Sequence, residues 1–177
     1  MLTGAANRLH MDATIARAIA GSADWNAELS VAMLDFDHFA LVNDAAGYDA
    51  GDELLRQFVT FLRGQLTADE LLFRLGGDEF VIVLPTVAAS AAQARVEEIH
   101  ARWLYETPTG SGGHTFSAGI ADTADAGRDV RTLLQKAHKA LADAKGSGRA
   151  RVVATESAAV AAPVEEVSYL KKFGIVK

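Results

Sequence analysis

Arg74-Leu75-Gly76-Gly77-Asp78-Glu79-Phe80 sets two glycines and two adjacent carboxylates in a tight turn between two apolar runs. Glu70 to Leu75 reads as one strand, and Phe80 to Leu84 as a second, buried strand that Pro85 stops. Gly76-Gly77 is the expected two-residue hairpin loop, because the mirror-image turns that close such hairpins need positive φ, which glycine adopts without steric cost. Two like charges at a solvated tip repel and contribute little to a fold. Facing a divalent cation they have a use, since carboxylate oxygens bind one well. A solvated hairpin with two surface acids is the competing reading of this segment taken alone.

A second acidic cluster lies upstream, where the apolar run Val31-Ala32-Met33-Leu34 ends in Asp35-Phe36-Asp37. Strand alternation puts Asp35 and Asp37 on one face and Phe36 on the other. If this strand lies beside the hairpin, Asp35 and Asp78 converge on one Mg²⁺, an ion usually held by one or two carboxylates plus substrate phosphates. The substrate implied is a nucleotide or another phosphate ester. Asp35 read alone is equally suited to capping a following helix.

Composition bounds these readings. The chain has 177 residues, half of them hydrophobic, enough for one domain of ordinary size followed by a tail. Lys and Arg number 17 against 23 Asp and Glu, a net charge of −6 that argues against nucleic-acid binding through a basic face. An anionic substrate then calls for a metal and a few placed cations. The absence of cysteine excludes disulfides and thiolate metal sites, and the five histidines show no zinc-type spacing. No apolar stretch reaches the length of a membrane span and no signal peptide opens the chain, so a cytoplasmic protein is expected.

Along the chain, Asn7 to Ile19 has mixed helical spacing that Gly21-Ser22 interrupts, which predicts a short leading helix. A helical turn from Phe39 breaks at Gly47, and Ala50 to Leu66 carries a broad apolar face. Ala88 to Leu104 forms another helix, Thr107 to Gly113 a loop, and His114 to Ala121 a strand. Val130 to Ala144 is a further helix ended by Gly146-Ser147-Gly148, and Arg151-Val152-Val153 suits an edge strand. The order strand, helix, hairpin, helix, strand, helix is a split β-α-β-β-α-β pattern. It predicts an α+β fold with a mixed, antiparallel-containing central sheet flanked by helices. The first strand meeting the hairpin at the sheet centre brings the two acidic clusters together.

Five separated motifs in this order resemble the GGDEF domain, the catalytic module of diguanylate cyclases. They are Leu2-Thr3-Gly4 with Asn7-Arg8, Leu34 to Phe39, Asn43-Asp44 with Gly47 and Gly51-Asp52, Arg74 to Phe80, and Ala144-Lys145 with Gly148-Arg149. The resemblance implies a fold like polymerase palm and class III nucleotidyl cyclase domains. It also implies a nucleotidyltransferase that joins two GTP molecules into cyclic di-GMP, releasing two pyrophosphates, with a homodimer holding one GTP in each subunit. By the same resemblance, Asp35, Asp78 and the Phe36 carbonyl bind Mg²⁺, for which Mn²⁺ can substitute. Glu79 serves as a second-metal ligand or as the base for the 3′-hydroxyl. Asn43 and Asp52 read guanine, whose amide and amino edge an amide and a carboxylate match and adenine does not. Lys145 and Arg149 contact the triphosphate, and Gly76 and Gly77 let backbone approach the phosphates. Without substrate, Asn43 suits a turn, Asp52 a helix cap, and Lys145 with Arg149 a helix C-terminus.

Three departures from the family pattern stand out. A lysine that reaches the terminal phosphates is Ala40 here, the histidine of a Gly-His pair is Tyr48, and a tyrosine before Lys145 is Ala142. The Arg-x-x-Asp of the family's inhibitory product site is represented by Thr67 and Glu70, so product inhibition through that site is not expected. Residues 1–153 are expected to be the domain, and 154–177 a linker or the start of another segment. Sensor or effector domains are expected elsewhere in the full-length protein. An active cyclase is the leading expectation. A GTP-binding module that regulates a neighbouring domain without turnover is the alternative, and a structural interaction domain is third.

Overall fold

The computed structural model describes residues 8–23, 28–106 and 114–155. Leu2-Thr3-Gly4, Asn7, the loop from Thr107 to Gly113 and the tail beyond Thr155 lie outside the described residues. In chain order the elements are α1 (Arg8–Ala23), β1 (Leu29–Phe36), α2 (Phe39–Ala46), α3 (Tyr48–Gln65), β2 (Leu71–Gly76), β3 (Glu79–Pro85), α4 (Ala89–Glu106), β4 (Phe116–Asp122), α5 (Thr123–Ala126), α6 (Val130–Gly146) and β5 (Val152–Ala154).

The strands form one open sheet in the order β2-β3-β1-β4-β5. β1 runs antiparallel to both neighbours, β3 and β4, and only β5 pairs parallel, on β4. The central strand is buried along its whole length, as its apolar run dictates. Side chains alternate between two cores. Ala32, Leu34, Phe36, Phe80 and Ile82 pack against α3 and α4, where fully buried Phe58 meets Phe36, Trp103, Phe116 and Phe80 at ring distances of 4.5 to 5.3 Å. Val31, Met33, Val81 and Val83 pack against α1 and α6 through Met11, Ile15, Leu133, Ala137 and Leu141.

The expected fold is the one observed, with three local differences. α1 runs through Gly21 to Ala23, and Gly21 is itself buried, so its propensity cost of about 1 kcal/mol does not end the helix there. The hairpin loop is Gly77-Asp78, one residue later than Gly76-Gly77. Gly76 pairs with Glu79, and Leu75 is the extra residue of a bulge. Gly77, at φ 52°, is the turn residue that needs glycine's freedom, and Arg74 secures the turn by donating from Nε and Nη2 to the Gly77 carbonyl at 2.9 and 2.6 Å. The third difference is α5, a single turn whose start is capped by buried Asp122. That carboxylate accepts from the Asp125 N–H and also from Ala89 N–H at the start of α4, both at 2.9 Å.

Candidate active site

The sheet brings the two acidic clusters together. Asp35, one residue before the end of β1, is the Cα partner of Glu79 at the start of β3, and Asp78 occupies the intervening turn. Asp35 and Glu79 face α6, whereas Phe36 points into the opposite core. The alternation expected from the sequence holds to the end of β1 at Phe36, and Asp37 follows in the turn after it.

α6 supplies the cation. Gly119 on β4 lies so close to the helix that a Cβ there would sit 2.0 Å from the Leu141 nitrogen and 2.3 Å from the Ala137 carbonyl. This approach lays the end of α6 against the central strands. Lys145, in its last turn, reaches Asp35 Oδ1 at 2.5 Å. Arg149 follows at φ 62° on the surface, its N–H closing the helix end on the Ala144 carbonyl at 3.1 Å.

Burial pushes the Asp35 carboxyl above the usual carboxylate range, and the charges of Asp78 and Asp37 push the same way. The hydrogen bond and charge of Lys145 oppose them without reversing the shift. A raised folded-state pKa means that the stability linked to this group is fully present below its unfolded value and is lost as pH rises through the folded one. Ionised Asp35 thus costs stability at neutral pH. Asp35→Asn is expected to raise the thermal midpoint of the ligand-free chain at pH 7, with the gap to the parent closing as pH falls through the carboxylate range. A melting series across pH checks this, and a lowered midpoint at pH 7 would contradict it.

Among the described residues no three carboxylate or imidazole side chains converge as a complete metal cage. The donors that do converge are Asp35 and Asp78, hard oxygens in a like-charged and partly dehydrated setting. This set suits a hard cation whose coordination is completed by waters and phosphate oxygens better than it suits a metal bound by protein alone.

A separate device brings Asn43 on α2 against Gly51 on α3, next to Asp52. Asn43 on α2 and Asp52 on α3 are both half-buried, and the glycine between the two helices' close approach is Gly51. A Cβ there would land 2.0 Å from Asn43 Oδ1. Gly51→Ala is expected to displace that flexible amide rather than the fold. On the guanine-reading role that the resemblance implies for Asn43, weaker GTP binding by about tenfold with a nearly unchanged melting midpoint is the expected result, read by calorimetric titration; equal binding would contradict that role.

Ala40 is exposed in the first turn of α2, Tyr48 is 82% exposed at the start of α3, and Ala142 is exposed on α6. Glu70, at the inhibitory-site position, is engaged otherwise. It accepts from the Thr67 N–H at 2.8 Å and lies 3.6 Å from Arg95 Nε. Sequence reasoning missed Gly119 and the anchoring of Asp37. Gly119 left no sequence signal apart from a glycine inside a strand.

A sequence profile described as diguanylate cyclase, GGDEF domain, matches residues 1–151, and the chain belongs to that family. Response regulator PleD of Caulobacter vibrioides is 35% identical over 161 residues, covering 86% of this chain and 35% of PleD. Cyclic di-GMP phosphodiesterase PdeR of Escherichia coli is 36% identical over 155 residues, covering 84% of this chain and 22% of PdeR. Among solved structures, the GGDEF domain of DgcB from Caulobacter crescentus in complex with c-di-GMP superposes with a TM-score of 0.81 at 31% identity, over 89% of this chain and 92% of that one. The chain thus spans about a third of PleD and about a fifth of PdeR. No helix among the described residues is long and apolar enough to cross a membrane.

Proposed function

We propose that this chain is a Mg²⁺-dependent diguanylate cyclase, condensing two GTP molecules into cyclic di-GMP with release of two pyrophosphates. The observation that carries the reading is the placement of Asp35 opposite Glu79 at one sheet end, with Asp78 in the adjoining turn and Lys145 of α6 on Asp35. Asp35, Asp78 and the Phe36 carbonyl are assigned to the metal, which when bound polarises the α-phosphate and offsets charge on the attacking and leaving oxygens. Mn²⁺ can take the same ligands. Glu79 is assigned to the 3′-hydroxyl end of the reaction, as proton acceptor or as an additional metal ligand. Asn43 and Asp52 hold the guanine edge. Lys145 exchanges its bond to Asp35 for triphosphate oxygens, and Arg149 contacts the same group. Gly76 and Gly77 leave space for the phosphates. Each subunit holds one GTP, so the reaction needs a homodimer. With Glu70 committed to Thr67 and Arg95, the product is not expected to inhibit through that surface.

Mg²⁺-dependent binding of GTP in preference to ATP, lost in Asp35→Ala, tests the substrate assignment. Equal affinity for the two nucleotides would overturn it.

A second reading, a GTP-binding module that regulates a neighbouring domain without turning over, is favoured by Ala40. It is also favoured by the likeness to PdeR, a protein named for cyclic di-GMP breakdown. A lysine at position 40 would add one charge-assisted phosphate contact, worth about 1.5–3 kcal/mol, or about tenfold to a hundredfold in kcat/KM. Ala40→Lys is expected to raise cyclic di-GMP formation by that factor from a measurable parent rate. Product from Ala40→Lys alone would favour the regulatory reading.

A further inference from the structure

Asp37 sits two residues beyond Asp35, just past the end of β1, and its carboxylate is turned to other work. It is 7% exposed and accepts three hydrogen bonds from two separate parts of the chain. Thr115 Oγ1 donates to Oδ2 at 2.6 Å, Ser117 Oγ to Oδ1 at 2.7 Å, and the Ala150 N–H to Oδ2 at 2.9 Å. Its own N–H donates to the Thr115 carbonyl at 2.9 Å.

The Ala150 contact is the telling one. Arg149 and Ala150 are consecutive non-glycine residues at φ 62° and 47°, a conformation disfavoured for any residue with a Cβ. His38, next to Asp37, is at φ 61°. Three of the four non-glycine residues at positive φ among the described residues thus gather around this one carboxylate. Strain of this kind persists only where surrounding contacts hold it, and the hydrogen bond from the Ala150 N–H to the Asp37 carboxylate is such a hold.

We propose that Asp37 is a positioning residue. Its carboxylate clamps the left-handed turn after α6 and the start of β4 to the end of β1, fixing Arg149 and Lys145 relative to Asp35 and the Phe36 carbonyl. The proposal rests on the cyclase reading for what is positioned, namely triphosphate contacts against metal ligands. It separates the two acids of Asp35-Phe36-Asp37 by role, since Asp37 has its oxygens committed to protein donors and is not a metal ligand.

The test compares Asp37→Ala with Asp37→Asn. Asparagine keeps one oxygen for Thr115 and Ala150, and its amide can donate to the Ser117 hydroxyl, which accepts as readily as it donates. Asp37→Ala is expected to raise the GTP KM about tenfold or more and to lose hydrogen-exchange protection at the Ala150 amide. Asp37→Asn is expected to keep most of both, with the half-saturating Mg²⁺ concentration unchanged. Ala150→Gly, which adopts positive φ freely, is expected to restore part of the GTP affinity lost in Asp37→Ala. Asp37→Asn as damaging as Asp37→Ala, with a raised Mg²⁺ requirement, would overturn the proposal in favour of a metal ligand. Unchanged GTP affinity in a folded Asp37→Ala would overturn it outright. A parent chain that binds no GTP would sink the cyclase reading instead, while Ala150 exchange would still report on the clamp.

Discussion

Asp78→Asn is expected to lower cyclic di-GMP formation by at least about a thousandfold while moving the melting midpoint by no more than about 2 °C. The asymmetry follows from the position. Asp78 is in a two-residue turn that Gly77 shapes and Arg74 secures, and its side chain forms no hydrogen bond or ion pair among the described residues. The fold gains little from it. Its charge even raises the Asp35 pKa, so its removal relieves repulsion in the ligand-free chain. A metal held by one or two carboxylates loses a large share of its protein ligands when one becomes an amide. A loss of about 4 kcal/mol of transition-state stabilisation corresponds to that thousandfold. Retention of a tenth of the parent rate would contradict the assignment of Asp78 to the metal.

Gly119→Ala is expected to be the most destabilising single-methyl change in the described chain. The added Cβ meets the Leu141 nitrogen at 2.0 Å, the Ala137 carbonyl oxygen at 2.3 Å and the Ala140 carbonyl carbon at 2.6 Å, all of them helix backbone that no rotamer can clear. α6 must move off the sheet. Overpacking of a rigid interior costs about 3 kcal/mol or more, a midpoint lowered by about 6–12 °C for a chain of this size. Lys145 travels with α6, so whatever folds should also bind GTP more weakly. A midpoint within about 2 °C of the parent would show that the helix approaches the strand less closely than described.

The parts of the fold visible in the sequence were those carried by apolar periodicity. Val31 to Leu34 and Phe80 to Leu84 are unbroken runs with one place to go, the sheet centre, and the acids at their ends follow them there. The placement of Asp35, Asp78 and Glu79 at one end of the sheet was readable for that reason. What escaped depended on contacts between distant segments. The one-residue shift of the hairpin loop is held by the Arg74 guanidinium on the Gly77 carbonyl, which no local turn preference encodes. α5 is four residues long, too short to show a period, and exists because Asp122 caps it. The continuation of α1 past Gly21 goes with the burial of Gly21 itself, which the local spacing does not show. The clamp at Asp37 joins positions 78, 80 and 113 residues apart, a separation at which spacing carries no information.

The most direct measurement is product analysis after incubating the chain, fused to a dimerising coiled coil, with GTP and Mg²⁺. Cyclic di-GMP and pyrophosphate are expected from the unaltered sequence, with none after chelation of the metal and none from Asp78→Asn. GTP recovered intact by a chain that binds it, with product appearing only in Ala40→Lys, would contradict the cyclase reading and leave a regulatory GTP-binding domain.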